Sequence, residues 1–171
     1  MAGKEATLFL IDVGVTTATR NNGRDVTDLD YGMQYIWDRI AVILSANKAS
    51  HLVGVIGFRT DETNNHLSEA GDEYGNIYEM KELAAIKMPD LKYLQQQIKS
   101  SATHSGDAVS AIVVGTEIMG KATTLKSGKP GAYTRKMILL TDGKGHIAED
   151  ELESIAAKLN EDKIALTVMY V

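Results

Sequence analysis

Four short runs of almost uninterrupted apolar residues, Ala6 to Val13, His51 to Phe58, Met137 to Leu140 and Ile164 to Val171, restrict this chain more than any other feature. Ala6 to Val13 is what is expected of a strand buried on both faces in the centre of a parallel sheet, and the other three runs read as further strands. Between them lie segments with helical spacing. Leu29, Met33, Ile36, Ile40, Ile43 and Leu44 recur at three- and four-residue intervals and form one stripe of a helix that needs a sheet to cover it. Thr27 caps that helix, with Asp28 and Asp30 in its first turn, where carboxylates suit the positive end of the dipole. The order of elements implies an α/β fold in which a sheet is sandwiched between helices.

The remaining elements follow the same logic. Asn76 to Leu83 reads as a partly polar strand suited to a sheet edge, and Leu91, Leu94 and Ile98 mark a short helix after Pro89. A longer helix is expected from about Asp107, with Val109, Ile112, Val113 and Met119 inward, before a turn-rich stretch holding Gly128, Pro130 and Gly131. A last helix opens with Glu149, Asp150 and Glu151 and is expected to bury Leu152, Ile155, Ala156 and Leu159. The polar, acidic segment from Arg59 to Gly75 reads as an exposed loop. The chain's 171 residues, 44% of them hydrophobic, suffice for one domain with a sizeable core, spanning residues 1–171. The final strand runs to the last residue without a polar tail, which points to a domain excised from a longer chain. No internal repeat or low-complexity segment is present.

Composition narrows function. The absence of cysteine excludes a disulfide framework and a thiolate metal site, and fits a reducing compartment. The start of the chain lacks the apolar core of a signal peptide, and no apolar run approaches the roughly 20 residues that span a bilayer, so no membrane partner is expected. The net charge of −5 counts against a surface built to grip phosphates. Lys121, Lys126, Lys129, Arg135 and Lys136 do cluster in sequence, but in and beside a Gly/Pro-containing segment that reads as a solvated loop.

Ligands of an open parallel sheet sit at the carboxyl ends of the central strands, and Asp12 to Thr16, Ser105 to Asp107 and Thr141 to Gly143 deliver oxygen-bearing residues to that edge. Three carboxylates there, Asp12, Asp107 and Asp142, would repel one another unless a cation, a proton or hydrogen-bond donors compensated. The site is then either a weak metal site or a structural remnant in which Asp12 and Asp142 accept loop backbone N–H bonds. The remnant is the preferred reading.

Three nucleotide motifs are approached and missed. Gly115 to Ala122 nearly matches a phosphate-cradling P-loop, but Ala122 lacks the magnesium-binding hydroxyl and the segment falls late in a helix, where a surface helix end is expected. Gly143 to Ala148 resembles a dinucleotide fingerprint, yet Asp142 would face the pyrophosphate and the next strand ends without the ribose-binding acid. Asp12-x-Gly14-x-Thr16 resembles a sugar-kinase phosphate loop that requires a second domain. Nucleophilic catalysis has no constellation either, since His51, His66, His104 and His146 are scattered and no Gly-x-Ser-x-Gly elbow occurs. Trp37 lies beside the first helix's apolar stripe, where partial burial is expected.

Taken in order, LFLIDVG at Leu8 to Gly14, VGVIGFRTDETNN at Val53 to Asn65, GDEYGNI at Gly71 to Ile77, SGDAVSAI at Ser105 to Ile112 and ILLTDG at Ile138 to Gly143 resemble the von Willebrand factor A-type domain of the larger subunit of the Ku heterodimer. The resemblance covers the whole chain. It implies a Rossmann-like three-layer domain whose sheet is mostly parallel, with one edge strand antiparallel. Von Willebrand A domains hold a divalent cation through Asp-x-Ser-x-Ser, a later Thr and a later Asp. Here Asp12, Thr16 and Asp142 match, Gly14 stands where the first Ser would be, and Asp107 stands where the Thr is expected. No bound metal or cofactor is therefore expected.

The resemblance further implies a nuclear protein, present also at chromosome ends, acting in non-homologous end joining and telomere maintenance. Its partners would be the smaller Ku subunit, short peptide motifs of repair or telomere factors, and double-stranded DNA ends held by barrel domains outside this chain. A peptide-docking module is the expected function, and a metal-dependent or nucleotide-using enzyme domain the alternative. The missing hydroxyl at Gly14 favours the first, and the family's helicase label is not transferred.

Overall fold

The computed structural model describes residues 3–68 and 73–171. The stretch 69–72, part of the acidic loop and of the GDEYGNI segment, lies outside the described residues. Among the described residues five strands form one sheet in the order β3-β2-β1-β4-β5. They are β1 (Lys4–Asp12), β2 (His51–Phe58), β3 (Ile77–Ala85), β4 (Tyr133–Thr141) and β5 (Ile164–Tyr170). β1 runs parallel to β2 and β4, and β4 parallel to β5, whereas β2 and the edge strand β3 are antiparallel. The expected mixed sheet with one antiparallel edge is thus observed.

Because successive side chains of a strand point to opposite faces, β1 divides its residues between two cores. Ala6, Leu8 and Leu10 join one cluster with Ala111, Val114, Ile118 and Met119 of α3 (Ala108–Thr123) and Leu159 of α4 (Leu152–Glu161). Phe9, Ile11 and Val13 join the other, with Leu29, Met33, Ile36 and Ile40 of α1 (Asp28–Ala46) and Leu94 of α2 (Met88–Gln97). The result is three layers, and it leaves β1 covered on both faces and both edges. Trp37, Ile43 and Leu44 are partly buried against the second cluster. Among the described residues no helix is long and apolar enough to cross a membrane.

The helix limits follow local chemistry. Thr27 Oγ1 accepts the N–H of Asp30 at 3.1 Å to start α1, and Asn47, at φ 46°, ends it in the left-handed conformation. Asp107 caps α3 in the same way, accepting the N–H of Ser110 at 2.7 Å. Two inward faces differ from expectation. In α3 the core is built from Ala111, Val114 and Ile118 rather than Val113, which is only partly buried. In α4 only Leu159 is buried and Ile155 partly so, while Leu152 is 44% exposed and Ala156 is exposed as well. The cause is geometric: α4 lies toward β5, an edge strand with Val168 and Tyr170 exposed, so no further layer covers the first turn of the helix.

The buried stripe of α1, Leu29, Met33, Ile36 and Ile40, covers one face of the sheet. Replacing the fully buried Ile36 by Ala should cost about 2–5 kcal/mol in urea unfolding. The same change at Val42, 61% exposed on that helix, should leave stability within about 0.5 kcal/mol. Comparable losses at both positions would contradict the assigned face.

Candidate functional site

At the carboxyl edge, the chain after β1 turns toward α1 while the chain after β4 turns toward the opposite layer, so the two strand ends open a crevice at the topological switch point. Asp12 closes β1 there, Thr141 closes β4, and Asp142 follows it. A single 3-10 turn, Val15–Ala18, carries Thr16. The loops after β2 and before α3 complete the rim.

The centre of this crevice is filled by Arg59. Its side chain is 1% exposed although it follows directly on β2 at the start of a polar loop. Nη1 lies 3.1 Å from each carboxylate oxygen of Asp12 and 3.4 Å from Oδ1 of Asp142, and Nη2 donates to Thr16 Oγ1 at 3.1 Å. The other bonds of Asp12 come from the N–H of Gly14 at 2.9 Å and from Thr141 Oγ1 at 2.8 Å. Asp142 Oδ1 also accepts the N–H of Lys144 at 3.0 Å. Both carboxylates therefore accept loop N–H bonds in the manner expected of the remnant, with a guanidinium added at their centre.

Close packing holds Arg59 in place. Its backbone sits at φ 58°, a left-handed conformation that costs a non-glycine residue about 1–2 kcal/mol. Ser101 Oγ donates to its carbonyl at 2.7 Å. A Cβ on Gly106 would stand 2.8 Å from the backbone nitrogen of Arg59, and one on Gly14 would stand 2.3 Å from Arg59 Cζ. Both positions require glycine for close approach. Gly14 at φ −56° needs no special backbone conformation.

Asp107, expected as a third carboxylate of this cluster, is not part of it. Its Oδ2 is used by Ser110 as the helix cap and its Oδ1 accepts the N–H of Ala148 at 3.1 Å, tying α3 to the β4–α4 loop. Among the described residues no group of three or more acidic, histidine or cysteine side chains is placed to hold a metal ion. The oxygens that do converge, from Asp12, Thr16 and Asp142, already surround a guanidinium. A divalent cation requires its own shell of oxygens and does not fit while Arg59 is seated.

A second cluster borders the first. Asp28, at the start of α1, is fully buried and accepts from Arg24 Nη2 at 2.6 Å, from the N–H of Asn21 at 3.2 Å, from Thr19 Oγ1 at 3.2 Å and from the side-chain amide of Asn21. Burial acts to raise its pKa, but these hydrogen bonds outweigh it and hold the carboxyl below the ordinary carboxylate range. Lys144, 44% exposed, reaches across the rim to within 3.8 Å of Asp28 and 3.9 Å of Asp142. Arg24 also lies over the ring of Tyr31 at 4.3 Å.

The other sequence candidates disperse. Gly115 to Ala122 is the final part of α3, a helix end as expected, with Glu117, Lys121 and Ala122 exposed, but its inward residues Gly115, Thr116, Ile118 and Met119 are buried, and a Cβ on Gly115 would stand 3.0 Å from Leu8 and Met137. Gly143 to Ala148 is an irregular connection, bent at Gly143 and Gly145, that ends before α4 begins at Leu152, so no helix N-terminus meets it. The basic run divides. Arg135 binds Thr123 Oγ1, the Asp162 carbonyl and the Gly131 carbonyl, Lys136 pairs with Glu5 at 3.2 Å, and Lys121, Lys126 and Lys129 are exposed. His51 and His66 are half-buried, and His104 and His146 exposed. Beside Arg59 an apolar cleft of about 180 Å³ opens between α3 and the β4–α4 loop, lined by Phe58, Val109, Ile112, Leu139, Ile147 and Tyr170.

This arrangement of elements matches a known family along nearly its whole length. The model of the Ku70/Ku80 N-terminal alpha/beta domain matches residues 6–171. The chain belongs to the Ku N-terminal α/β domain family. Its relatives include proteins called ATP-dependent DNA helicase II subunit 2, from Aspergillus oryzae at 41% identity over 169 residues and from Schizosaccharomyces pombe at 32% over 168 residues. These alignments cover 99% and 98% of this chain but only 22% and 23% of the relatives. This Ku-type chain thus spans less than a quarter of the length of the curated relatives it matches. Among solved structures, the VWA domain of SpRpn10 superposes with a TM-score of 0.64 over 97% of this chain and 74% of that one, at 12% identity, which establishes a shared fold.

The Asp28 cluster predicts an acid-sensitive loop. Because the carboxyl is depressed in the folded state, its contribution to stability is complete above about pH 3.9, the unfolded value, and is lost as pH falls through the lower folded value. Asp28→Asn should cost about 1–3 kcal/mol at pH 7. Urea unfolding of the two chains should converge as pH drops below about 4. A gap that persists unchanged at low pH would refute the assignment.

Proposed function

We propose that this domain is a protein-docking module of the larger Ku subunit, recruiting short peptide motifs of repair or telomere factors to DNA ends. The observation that carries this reading is Arg59 in the switch-point crevice of a Ku-family fold: the place where a VWA-type domain would use a cation to take a ligand is filled by the chain's own side chain. Non-homologous end joining and telomere maintenance would be the processes served, and the nucleus, including chromosome ends, the location.

In this reading residues 1–171 are one module of a longer protein. DNA-encircling barrel and C-terminal domains would lie in the part of the relatives that this chain does not cover, about three quarters of their length. Those domains would pair with the smaller Ku subunit and hold double-stranded ends. The balance of −5 in net charge supports a role in which this domain itself leaves phosphates to other parts. The helicase name carried by the relatives is not extended to this domain, since its glycine-rich segments offer no phosphate cradle: one lies within the α3 helix and the other ends short of the α4 N-terminus.

Titration calorimetry with synthetic Ku-binding-motif peptides from end-joining factors tests the proposal. Saturable binding with the same Kd in magnesium and in EDTA is the expected result. Binding abolished by EDTA would restore a cation-dependent ligand site, and no binding in either buffer would move recruitment to other domains. ATP added to the same cell should give no saturable heat.

A further inference from the structure

We propose that Arg59 is this domain's own cation, standing where a VWA-type domain holds a divalent ion, and that Gly14 is the paired change that admits it. The carboxylates of Asp12 and Asp142 and the hydroxyl of Thr16 occupy the positions of the metal-binding pattern, and all of them are bonded to one guanidinium. The pattern's missing member explains itself on the same geometry. A serine at position 14 would place its Cβ 2.3 Å from Arg59 Cζ, so that side chain and this arginine exclude each other.

Charge supports the substitution. Two buried carboxylates facing one crevice need positive charge close by, or one of them must take up a proton. Arg59 supplies one charge from within, and Lys144, 3.9 Å from Asp142 Oδ2, supplies another from the rim. The fit also bears the mark of a planar group in a place suited to a spherical ion. Asp142 Oδ2 and Arg59 Nε are buried without a hydrogen-bond partner among the described residues, because a flat fork cannot meet oxygens converging from all sides.

A tethered cation differs from a metal in function. It does not dissociate, does not respond to chelators and offers no exchangeable coordination position to an incoming carboxylate. The loops after β1, β2 and β4 are held together by one covalently attached charge.

The pairing is tested on four chains: wild type, Gly14→Ser, Arg59→Gly and the double variant Gly14→Ser/Arg59→Gly. Glycine suits the left-handed backbone at position 59, so that exchange removes the cation without adding backbone strain. Thermal midpoints are measured in EDTA and in millimolar Mn²⁺, and Mn²⁺ uptake by electron paramagnetic resonance. Wild type should take up no Mn²⁺ and melt at one temperature in both buffers. Gly14→Ser alone should melt far lower. The double variant should bind one Mn²⁺, melt several degrees higher with it than in EDTA, and exceed the stability expected from adding the two single effects. Uptake of one Mn²⁺ by wild type would overturn the proposal. So would a double variant that folds without binding Mn²⁺, or Arg59 variants that fail to fold even in Mn²⁺. An Arg59→Gly chain as stable as wild type in EDTA would also reject it.

Discussion

The ion pair between Asp12 and Arg59 is the interaction on which the carboxyl edge of this sheet depends. Both side chains are almost completely buried, and taking an isolated charge from water into a protein interior costs several kcal/mol per ion even after relaxation. The pair persists because its hydrogen bonds are nearly complete on the carboxylate side: Asp12 receives Arg59, the Gly14 N–H and the Thr141 hydroxyl. A buried pair of this kind is by itself weak evidence of net stability. Removing either partner leaves an uncompensated buried charge, and that penalty makes alternative loop arrangements unfavourable.

The fold supplies the frame for this pair. β1 is the central strand, and its register with β2 sets Asp12 opposite Phe58, so the residue after Phe58 emerges beside the carboxylate. Asp142 arrives from β4 on the other side. The loop before α3 then closes over the arginine backbone through Ser101 and Gly106. Electrostatics at the edge and apolar burial in the layers thus cooperate: the layers fix where the strands end, and the buried charges fix how the loops leave them. Asp28, Arg24 and Lys144 extend the same network along the rim to the start of α1.

Much of this was legible in the sequence, for identifiable reasons. Continuous apolar runs mark the strands: in β1, burial on both faces leaves no room for polar alternation, whereas the equally apolar β5 is an edge strand with Val168 and Tyr170 exposed, and the partly polar third strand is an edge as expected. Asp12, Thr16 and Asp142 stood out as oxygen donors at strand ends, and Gly14 as a missing hydroxyl. Arg59 did not stand out, because an arginine opening a polar loop is ordinarily solvated and only the strand register turns it inward. The available signal was Phe58-Arg59 itself, a cation placed directly after a buried strand that neighbours an aspartate-terminated one. Asp107 differs from expectation for a related reason: Asp107-x-x-Ser110 is also a helix-cap spacing, and spacing alone does not reveal whether a carboxylate turns to its own helix or to the crevice. The first turn of α4 was read as buried because helical periodicity assumes a covering layer, which an edge strand does not provide.

In the proposed arrangement the crevice between Asp12 and Asp142 holds a guanidinium in place of a metal. A high-resolution crystal structure of the domain grown in millimolar Mn²⁺, with anomalous scattering recorded at the manganese edge, tests it directly. Continuous density for Arg59 between the two carboxylates, with no anomalous peak there, is the expected result. A peak at that position, with the Arg59 side chain turned out to solvent, would contradict it.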